Sequence, residues 1–377
     1  MFISGAAAAA TLFPTSARAI GQAQGTTRAQ SQRPGSSSND LAARIPRVAH
    51  PGVKRGEMLY RELGSTGVEV SIVGLGGSHL GQSQVTETDA IRLLHEGLDR
   101  GINFLDNAWD YNEGRSEERV GKALSQGSYR EKAFVMTKID GRTRETATNQ
   151  IDDSLRRLKV DHIDLLQHHE VIRFDDPDRI FNDGGAMEAV LAAKAAGKVR
   201  FIGFTGHKDP HVHLYMLEVA RQHGFHFDTV QMPINIMDAH FRSFSQLVVP
   251  EALRQNIGVL GMKCFGSGVF LKSNILEQGN VTPIECLHYS FSLPISVQIT
   301  GINSKMLLDQ AFSAVQSFQP LDETGIASLL AKSEEAARNG KYELFKTTSH
   351  FDSTARHPDW LGSDSTPVQE LAPELPG

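Results

Sequence analysis

A chain of 377 residues, 40% hydrophobic and 22% charged, has the composition of a globular protein large enough for one big domain or two ordinary ones. Its formal charge of -6, with no long run of Lys or Arg, argues against nucleic acid as a main partner, since phosphate neutralisation needs clustered basic side chains. Cys264 and Cys286 give neither a disulfide framework nor metal-ligand spacing, and both read as buried apolar residues.

The first fifty residues are of another kind. "MFISGAAAAATLFPTSARA" is a small apolar run closing on Ala17-Arg18-Ala19, the pattern of a signal-peptidase site. The stretch that follows, to about Pro51, is rich in Ser, Gln, Gly and Arg without periodicity, and reads as a disordered linker. No basic residue precedes Arg18. Phe2-Ile3 resembles the tail of a twin-arginine signal whose arginines lie upstream of a misplaced start codon, so export to the periplasm or cell envelope is expected. An unprocessed N-terminus on a cytoplasmic protein is the alternative. No later segment has the ~18–20 uninterrupted apolar residues that span a bilayer, so no integral membrane segment is expected.

From Met58 the chain alternates two patterns. "YRELGSTGVEVS" predicts a hairpin around Gly64-Ser65-Thr66-Gly67, and "IVGLGG" a buried strand. Thr86 and Asp89 open a helix carrying Ile91, Leu94 and Leu98. The beat then repeats. "NFLD" precedes a helix opening at Ser116, with Glu117 and Glu118 in its first turn, where the helix dipole favours acids. "AFVMTK" precedes a helix with Ile151, Leu155 and Leu158; "HIDLLQHH" precedes one with Met187, Val190 and Leu191, closed by Gly197. "VRFIGFTG" leads to a helix around Leu214–Arg221, and "DTVQMPI" to one around Pro250–Gln255. "IGVLGMKCFG" leads to one over Thr282–Phe291, and "SVQITGI" to one over Ser304–Phe318. Eight strand-helix units in one stretch predict an α/β fold, a closed (β/α)8 TIM barrel with an N-terminal β-hairpin. A doubly wound sheet is second, because the Gly-x-Gly-x-x-Gly turn is missing: "GLGGSHLG" is out of register. The predicted division is a signal-like segment and linker over 1–51, the barrel over 52–338, and an irregular C-terminal extension over 339–377 with Pro358, Pro367, Pro373 and Pro376.

In such a barrel chemistry sits where strands end and their loops begin. Strand two ends in Asp106 with Tyr111 in its loop, strand three in Lys138, and strand four in His168-His169. Singly, each has a bland reading: a capping acid, a surface phenol, a solvent-facing amine, a structural imidazole. Together they place an acid, a phenol, an amine and an imidazole on one rim. A tyrosine near its usual pKa of ~10 exchanges protons poorly at neutral pH, and a neighbouring cation lowers that value. Lys138 is the expected cation and Asp106 the carboxylate that keeps it charged, while the imidazole orients an oxygen or relays a proton. This set protonates an oxygen and lacks a nucleophile-base pair, which suggests carbonyl reduction by hydride and hence a nicotinamide cofactor.

These residues resemble the aldo-keto reductases, in order and spacing, over about Met58–Phe318. "FLDNAWDYNEGRSEERVGKAL" is similar to the family's Asp-to-Tyr segment, "VMTK" to its lysine strand, "DHIDLLQHH" to its histidine strand and "AAGKVRFIGFTG" to its approach to strand five. The family histidine falls five residues after the Asp; counted from Asp164 that is His169, which leaves His168 structural. The resemblance implies a monomer-like barrel with NADPH extended across the C-terminal rim. Tyr111 would be general acid, supported by Lys138 and Asp106, with His169 orienting the carbonyl and Trp109 walling the substrate pocket.

The cofactor positions carry over with substitutions. After strand five the family's Ser-Asn is Thr205-Gly206 here, followed by His207, while Gln231 matches the glutamine that holds the nicotinamide. Met262, followed by Lys263, stands at the stacking tyrosine's place, and Phe265, Gly266 and Ser267 fit the pyrophosphate-side loop. "TGINSKMLLDQAF" resembles the 2'-phosphate region with Gly301, Asn303, Ser304 and Lys305, but Leu307 replaces the frequent arginine. NADPH is thus expected, with NADH possible. "GFTGHKDP" and "GMKCFGSG" look like a bacterial branch some of whose members carry an iron-sulfur tail; with no Cys-rich C-terminus, no cluster is expected. His211-x-His213 and His223-x-x-His226 lack acidic or Cys partners at ligand spacing, so no metal is expected either. The leading reading is an NAD(P)H-dependent oxidoreductase acting on a small carbonyl or sugar-like substrate. The alternative is a nicotinamide-binding regulatory or scaffold protein with negligible turnover.

Overall fold

In the computed structural model, which describes residues 37–362, eight parallel strands close into a barrel with helices outside it. The strands are β4 (Val73–Gly76), β5 (Phe104–Asp106), β6 (Phe134–Ile139), β7 (Ile163–His168), β8 (Val199–Thr205), β9 (Thr229–Pro233), β10 (Gly258–Met262) and β11 (Val297–Thr300). They follow β1 (Val53–Arg55), β2 (Met58–Glu62) and β3 (Glu69–Ser71), which form a separate antiparallel sheet. The barrel closes where β11 pairs with β4, at Gln298↔Val73 and Thr300↔Leu75. The fold is the (β/α)8 barrel expected from the alternation, with an N-terminal hairpin and a C-terminal extension.

Period-two alternation sorts each strand between two cores. Phe104, Phe134, Met136, Leu165, Leu260, Val297 and Ile299 fill the barrel, joined by Leu63 and Val70 from the hairpin sheet. Their out-of-phase neighbours Leu105, Val135, Leu166, Ile202 and Val230 pack under the helices. The hairpin is a plug because its Gly64, at φ +55°, lies where any Cβ would collide with the backbone of Gly258 at the start of β10. Gly121 serves a similar close approach, its helix Arg115–Leu124 lying directly on the backbone of Arg157 and Leu158.

Three expectations are corrected. The hairpin gains a third strand, β1, against β2. The linker expected through Pro51 is helical over Ser38–Arg44: Ser37 and Asp40 form a capping box, and Leu41, Ala42 and Ile45 bury against the helix Glu323–Ala337. Three apolar side chains in a polar stretch were enough to dock it. The helix expected at Pro250 begins at Phe244, because the Ser243 hydroxyl caps it by accepting from Gln246 N. The expected signal-like residues 1–36, and residues 363–377, lie outside the described range. No helix among the described residues is long and apolar enough to cross a membrane. Cys264 and Cys286 are free and buried, as read from the sequence.

His168 and His213 are buried neutral, pushed down to about 3 and about 4 by burial. The unfolded chain binds protons on both below the ordinary value near 6.5, so stability falls as pH drops through 6.5 toward 3. Between pH 6.5 and 5, His168 alone is expected to cost roughly 1–2 kcal/mol. Urea unfolding at stepped pH should show a shallower acid slope in His168→Gln; an unchanged slope would clear His168 of the effect.

Candidate active site

The inward phase of three successive strands ends in chemistry. Phe104 leads to Asp106, Phe134 and Met136 to Lys138, and Leu165 and Gln167 to His169. His168 falls out of phase and lies against Phe227, ring centroids 6.5 Å apart, on the helix side. Lys138 Nζ donates to Asp106 in a short hydrogen-bonded ion pair, to the Asn107 carbonyl at 2.6 Å, and to Tyr111 Oη at 3.3 Å. The second Asp106 oxygen accepts from Gln231 Nε2 at 3.1 Å, across the barrel from β9.

The loop carrying Tyr111 is fixed from below. Asn107 N and Trp109 N donate to the Met136 and Lys138 carbonyls, and Ser116 Oγ donates to Asn107 Oδ1 at 2.7 Å. Asn112 and Glu113 take positive φ, and Gly114 at φ +86° starts the following helix. Under that helix Thr137 donates to the buried Glu117 at 2.6 Å.

The phenol is not acidified as expected. Burial raises Tyr111 well above 10, and Asp106, Asp110, Asp140 and Glu170 push the same way. Lys138 shares its charge with Asp106, which is why its proximity does not lower the phenol. Tyr111 therefore stays protonated across the neutral range.

His169 stands edge-on to Tyr111, centroids 5.6 Å apart, with Nδ1 2.9 Å from Asp140 and 3.5 Å from Asp110. Arg142, wholly buried, holds this corner: its guanidinium donates to the carbonyls of Asp140, His169 and Glu170 and to Asp176. Asp110, Asp140 and His169 are the one group among the described residues whose acid and imidazole atoms cluster closely, within 4.8 Å.

A cavity of about 540 Å³ lies over these groups. Its wall includes Asp106, Asp110, Tyr111, Lys138, His169 and Glu170 from the ends of β5 to β7 and the loops that follow them, and Ser267, Gly268, Gly301, Asn303 and Leu307 from the segments after β10 and β11. Of the predicted cofactor contacts, Thr205, Met262, Lys263, Phe265, Ser267, Gly301 and Asn303 line it, and Gly266, Gln231, Ser304 and Lys305 do not. Gln231 spends its amide on Asp106, Ser304 caps the helix Lys305–Ser317 by accepting from Leu307 N, and Lys305 pairs with Glu96 and Asp309. Trp109 is also outside the wall: its ring meets Trp360 edge-on and its Nε1 donates to Asp153, so the loop turns it toward the next helix.

The residues present still suit a nicotinamide dinucleotide. Thr205 Oγ1 is buried without a hydrogen-bond partner among the described residues and lines the same cavity as Tyr111 and His169, where it could hold a carboxamide. Lys263, pushed down to about 8 by burial, reaches only Ser267 Oγ at 3.5 Å among hydrogen-bond partners in the described residues, and its ammonium lies over the Phe345 and Phe351 rings.

Sequence reasoning missed the C-terminal contribution. His350, Phe351, Ser353 and Arg356 line the cavity, 239 or more residues beyond Tyr111. Glu170 anchors them: its carboxylate accepts from Ser353 N, Thr354 N and Thr354 Oγ1 at 2.8–2.9 Å. Burial pushes Glu170 up, but the His169 and His207 charges and these amides outweigh it and hold it below its ordinary value. Asp352 adds an ion pair to Lys208 at 2.9 Å and a contact to His207 at 3.1 Å. The "GHKDP" stretch was the visible signal, since two basic residues at a strand end want an acid.

The Aldo/keto reductase family model matches residues 72–287, more than half of the chain. The chain is 30% identical over 240 residues to the uncharacterized oxidoreductase YrpG of Bacillus subtilis, covering 58% of this chain and 71% of that protein. The chain belongs to the aldo/keto reductase family. As an aldo/keto reductase it is also 36% identical over 155 residues to L-galactose dehydrogenase of Arabidopsis thaliana, covering 39% of this chain and 48% of the relative. With the aldo-keto reductase YhdN of Bacillus subtilis it shares 30% over 224 residues, 55% and 63% of the two chains. The match thus spans about half to two thirds of these two relatives' length. Aldo-keto reductase AKR11C1 from Bacillus halodurans, in its holo form, superposes with a TM-score of 0.61 at 24% identity, covering 75% of this chain and 100% of that one, a likeness of fold.

Proposed function

We propose that this aldo/keto reductase reduces an aldehyde or ketone to an alcohol, or runs the reverse oxidation, with Tyr111 as the general acid. The observation that carries the reading is the Lys138 ammonium joined at once to Asp106 and to the Tyr111 hydroxyl, beneath a cavity that reaches the Gly301–Asn303 loop. Bound along that wall, NAD(P)H would supply the hydride. The protein's own part is to hold the substrate oxygen against the phenol, which being neutral has a proton to give. His169, on the far side of Tyr111, orients that oxygen. Asp106 supplies the buried partner that Lys138 needs away from water.

The acidic surround of the phenol favours a neutral, polyhydroxylated carbonyl over an anionic one, because Asp110 and Glu170 on the wall accept hydroxyls and repel carboxylates. Sugar chemistry is also what the names of L-galactose dehydrogenase and the 34% identical 6-dehydroglucose reductase of Novosphingobium aromaticivorans record for those proteins. For the N-terminal segment we keep export as the proposal, tested by N-terminal sequencing of the mature protein. Function is tested by following cofactor absorbance with NADPH and with NADH against aldehydes, keto sugars and quinones. Turnover is expected with the keto sugars; tight cofactor binding without turnover on any of them would favour a nicotinamide-binding regulatory protein.

A further inference from the structure

His169 meets two carboxylates through one ring nitrogen. Nδ1 lies 2.9 Å from Asp140 Oδ1 and 3.5 Å from Asp110 Oδ1, on loops that follow different strands. Asp140 is fully buried, and among the described residues neither its second oxygen nor the facing Asp110 oxygen has a hydrogen-bond partner, the latter lying 3.5 Å from the ring. Two carboxylates this close and this dry repel one another unless a positive charge lies between them. The other cations nearby are already matched: Lys138 to Asp106 and Arg142 to Asp176. Glu170 adds a third acid beside the ring, and it is engaged by the Ser353 and Thr354 amides and lies near Lys263.

We propose that Asp110 and Asp140 are positioning residues that hold His169 as an imidazolium, so that Nδ1 is committed to the two carboxylates and Nε2 is the donor offered to the cavity. The catalytic consequence rests on the reduction reading; the charge state of the ring does not. When hydride adds to the carbonyl carbon, the π electron pair moves to oxygen, which takes the Tyr111 proton while Nε2–H donates to the same oxygen. A neutral ring with its proton on Nδ1 would present an acceptor there and repel the developing charge. The cation also opposes the four acids that raise Tyr111. Burial disfavours a charged ring, but Asp140 and Asp110 outweigh it and push His169 up to about 10. Asp140, itself raised to about 6 by burial and by Asp110, still ionises below neutrality.

The groups facing the ring name the controls. Asp110 and Tyr111 come from the loop after β5, Lys138, Asp140 and Arg142 from the end of β6 and beyond, and Glu170 follows on His169's own strand. Full-length protein labelled with 15N-histidine is titrated by NMR without cofactor or substrate, and the His169 signals are assigned by their loss in His169→Asn. Both ring nitrogens are expected to stay protonated from pH 6 to at least ~8.5, two units above the ordinary value near 6.5. In Asp140→Asn the midpoint should fall by about two units, and Asp140→Glu should restore most of it. Should Asp140→Asn fail to fold, Asp110→Asn on the cavity rim carries the test, with a fall of about one unit. A ring neutral at pH 7 in the unaltered protein, or a midpoint unmoved by both substitutions, overturns the proposal. So does a divalent metal retained at stoichiometry and seen on Nδ1. None of these readings needs turnover, so an inactive protein would overturn the reduction reading and leave this one standing. If it is active, kcat/KM in Asp140→Asn should drop about tenfold between pH 6 and 9, where the unaltered enzyme stays nearly level.

Discussion

Replacing Tyr111 by phenylalanine is expected to lower kcat/KM for carbonyl reduction by roughly 10²–10⁴-fold, the usual share of a positioned proton donor. The change removes one oxygen and little else. Lys138 keeps the Asp106 carboxylate and the Asn107 carbonyl, so the buried ion pair survives without the phenol. The ring keeps its edge contact with His169, and the loop keeps its backbone anchors. Folding and cofactor affinity should therefore be nearly unchanged, which sets this variant apart from any change at Asp106 or Lys138. Steady-state kinetics beside NADPH titration by protein fluorescence would separate the two quantities. A variant that keeps more than a tenth of the activity would remove Tyr111 from the proton-transfer role.

Lys346→Ala is expected to cost the fold about 3–5 kcal/mol, the usual loss when one member of a buried ion pair is deleted. Lys346 is inaccessible to solvent and donates to Asp238 Oδ1 and to the Phe241 carbonyl, both at 2.8 Å, with Glu343 at 3.0 Å. Without it Asp238 keeps the Ser243 and Ser245 hydroxyls and the amides of Phe244 and Ser245, whereas Glu343 keeps only Asn235. Burial and Asp238 already raise Glu343 to about 7 against the pull of Lys346, so deleting the cation should protonate it at neutral pH. The thermal midpoint should fall by something on the order of 10 °C. The damage should also reach the cavity. Lys346 pins the segment that carries Phe345 and Phe351, the two rings packed over Lys263, and then Ser353 at the wall. Scanning fluorimetry with limited proteolysis of residues 347–361 would check both effects. A midpoint within 2 °C of the parent would show that the network is not worth its burial.

The gathering of Asp106, Tyr111, Lys138 and His169 on one rim was legible because it obeys local rules. Asp106, Lys138 and His169 each end an apolar strand in its inward phase, and Tyr111 lies in the polar loop after the first of them. The choice between His168 and His169 came from the family spacing counted from Asp164, and the structure places the two on opposite sides of the barrel wall. Trp109 was misread because proximity along a loop says nothing of side-chain direction; its ring left the pocket for Trp360. Asp110 and Asp140 were not singled out, since nothing in "WDYN" or "KIDG" reveals that one histidine lies between them. Ser304 and Lys305 carried the polarity expected of phosphate ligands but were spent on a helix cap and on Glu96 and Asp309.

The sequence by itself determined the barrel, its strand order and the four groups at its rim, because hydrophobic periodicity and strand ends are properties of neighbouring residues. Tertiary structure decided the charge of the site. Whether Tyr111 is acidified, whether His169 carries a proton, and how Glu170 and Asp352 recruit the C-terminal segment all depend on groups brought together from distant parts of the chain. Electrostatic energy follows distance and burial in space, and neither can be counted along the chain.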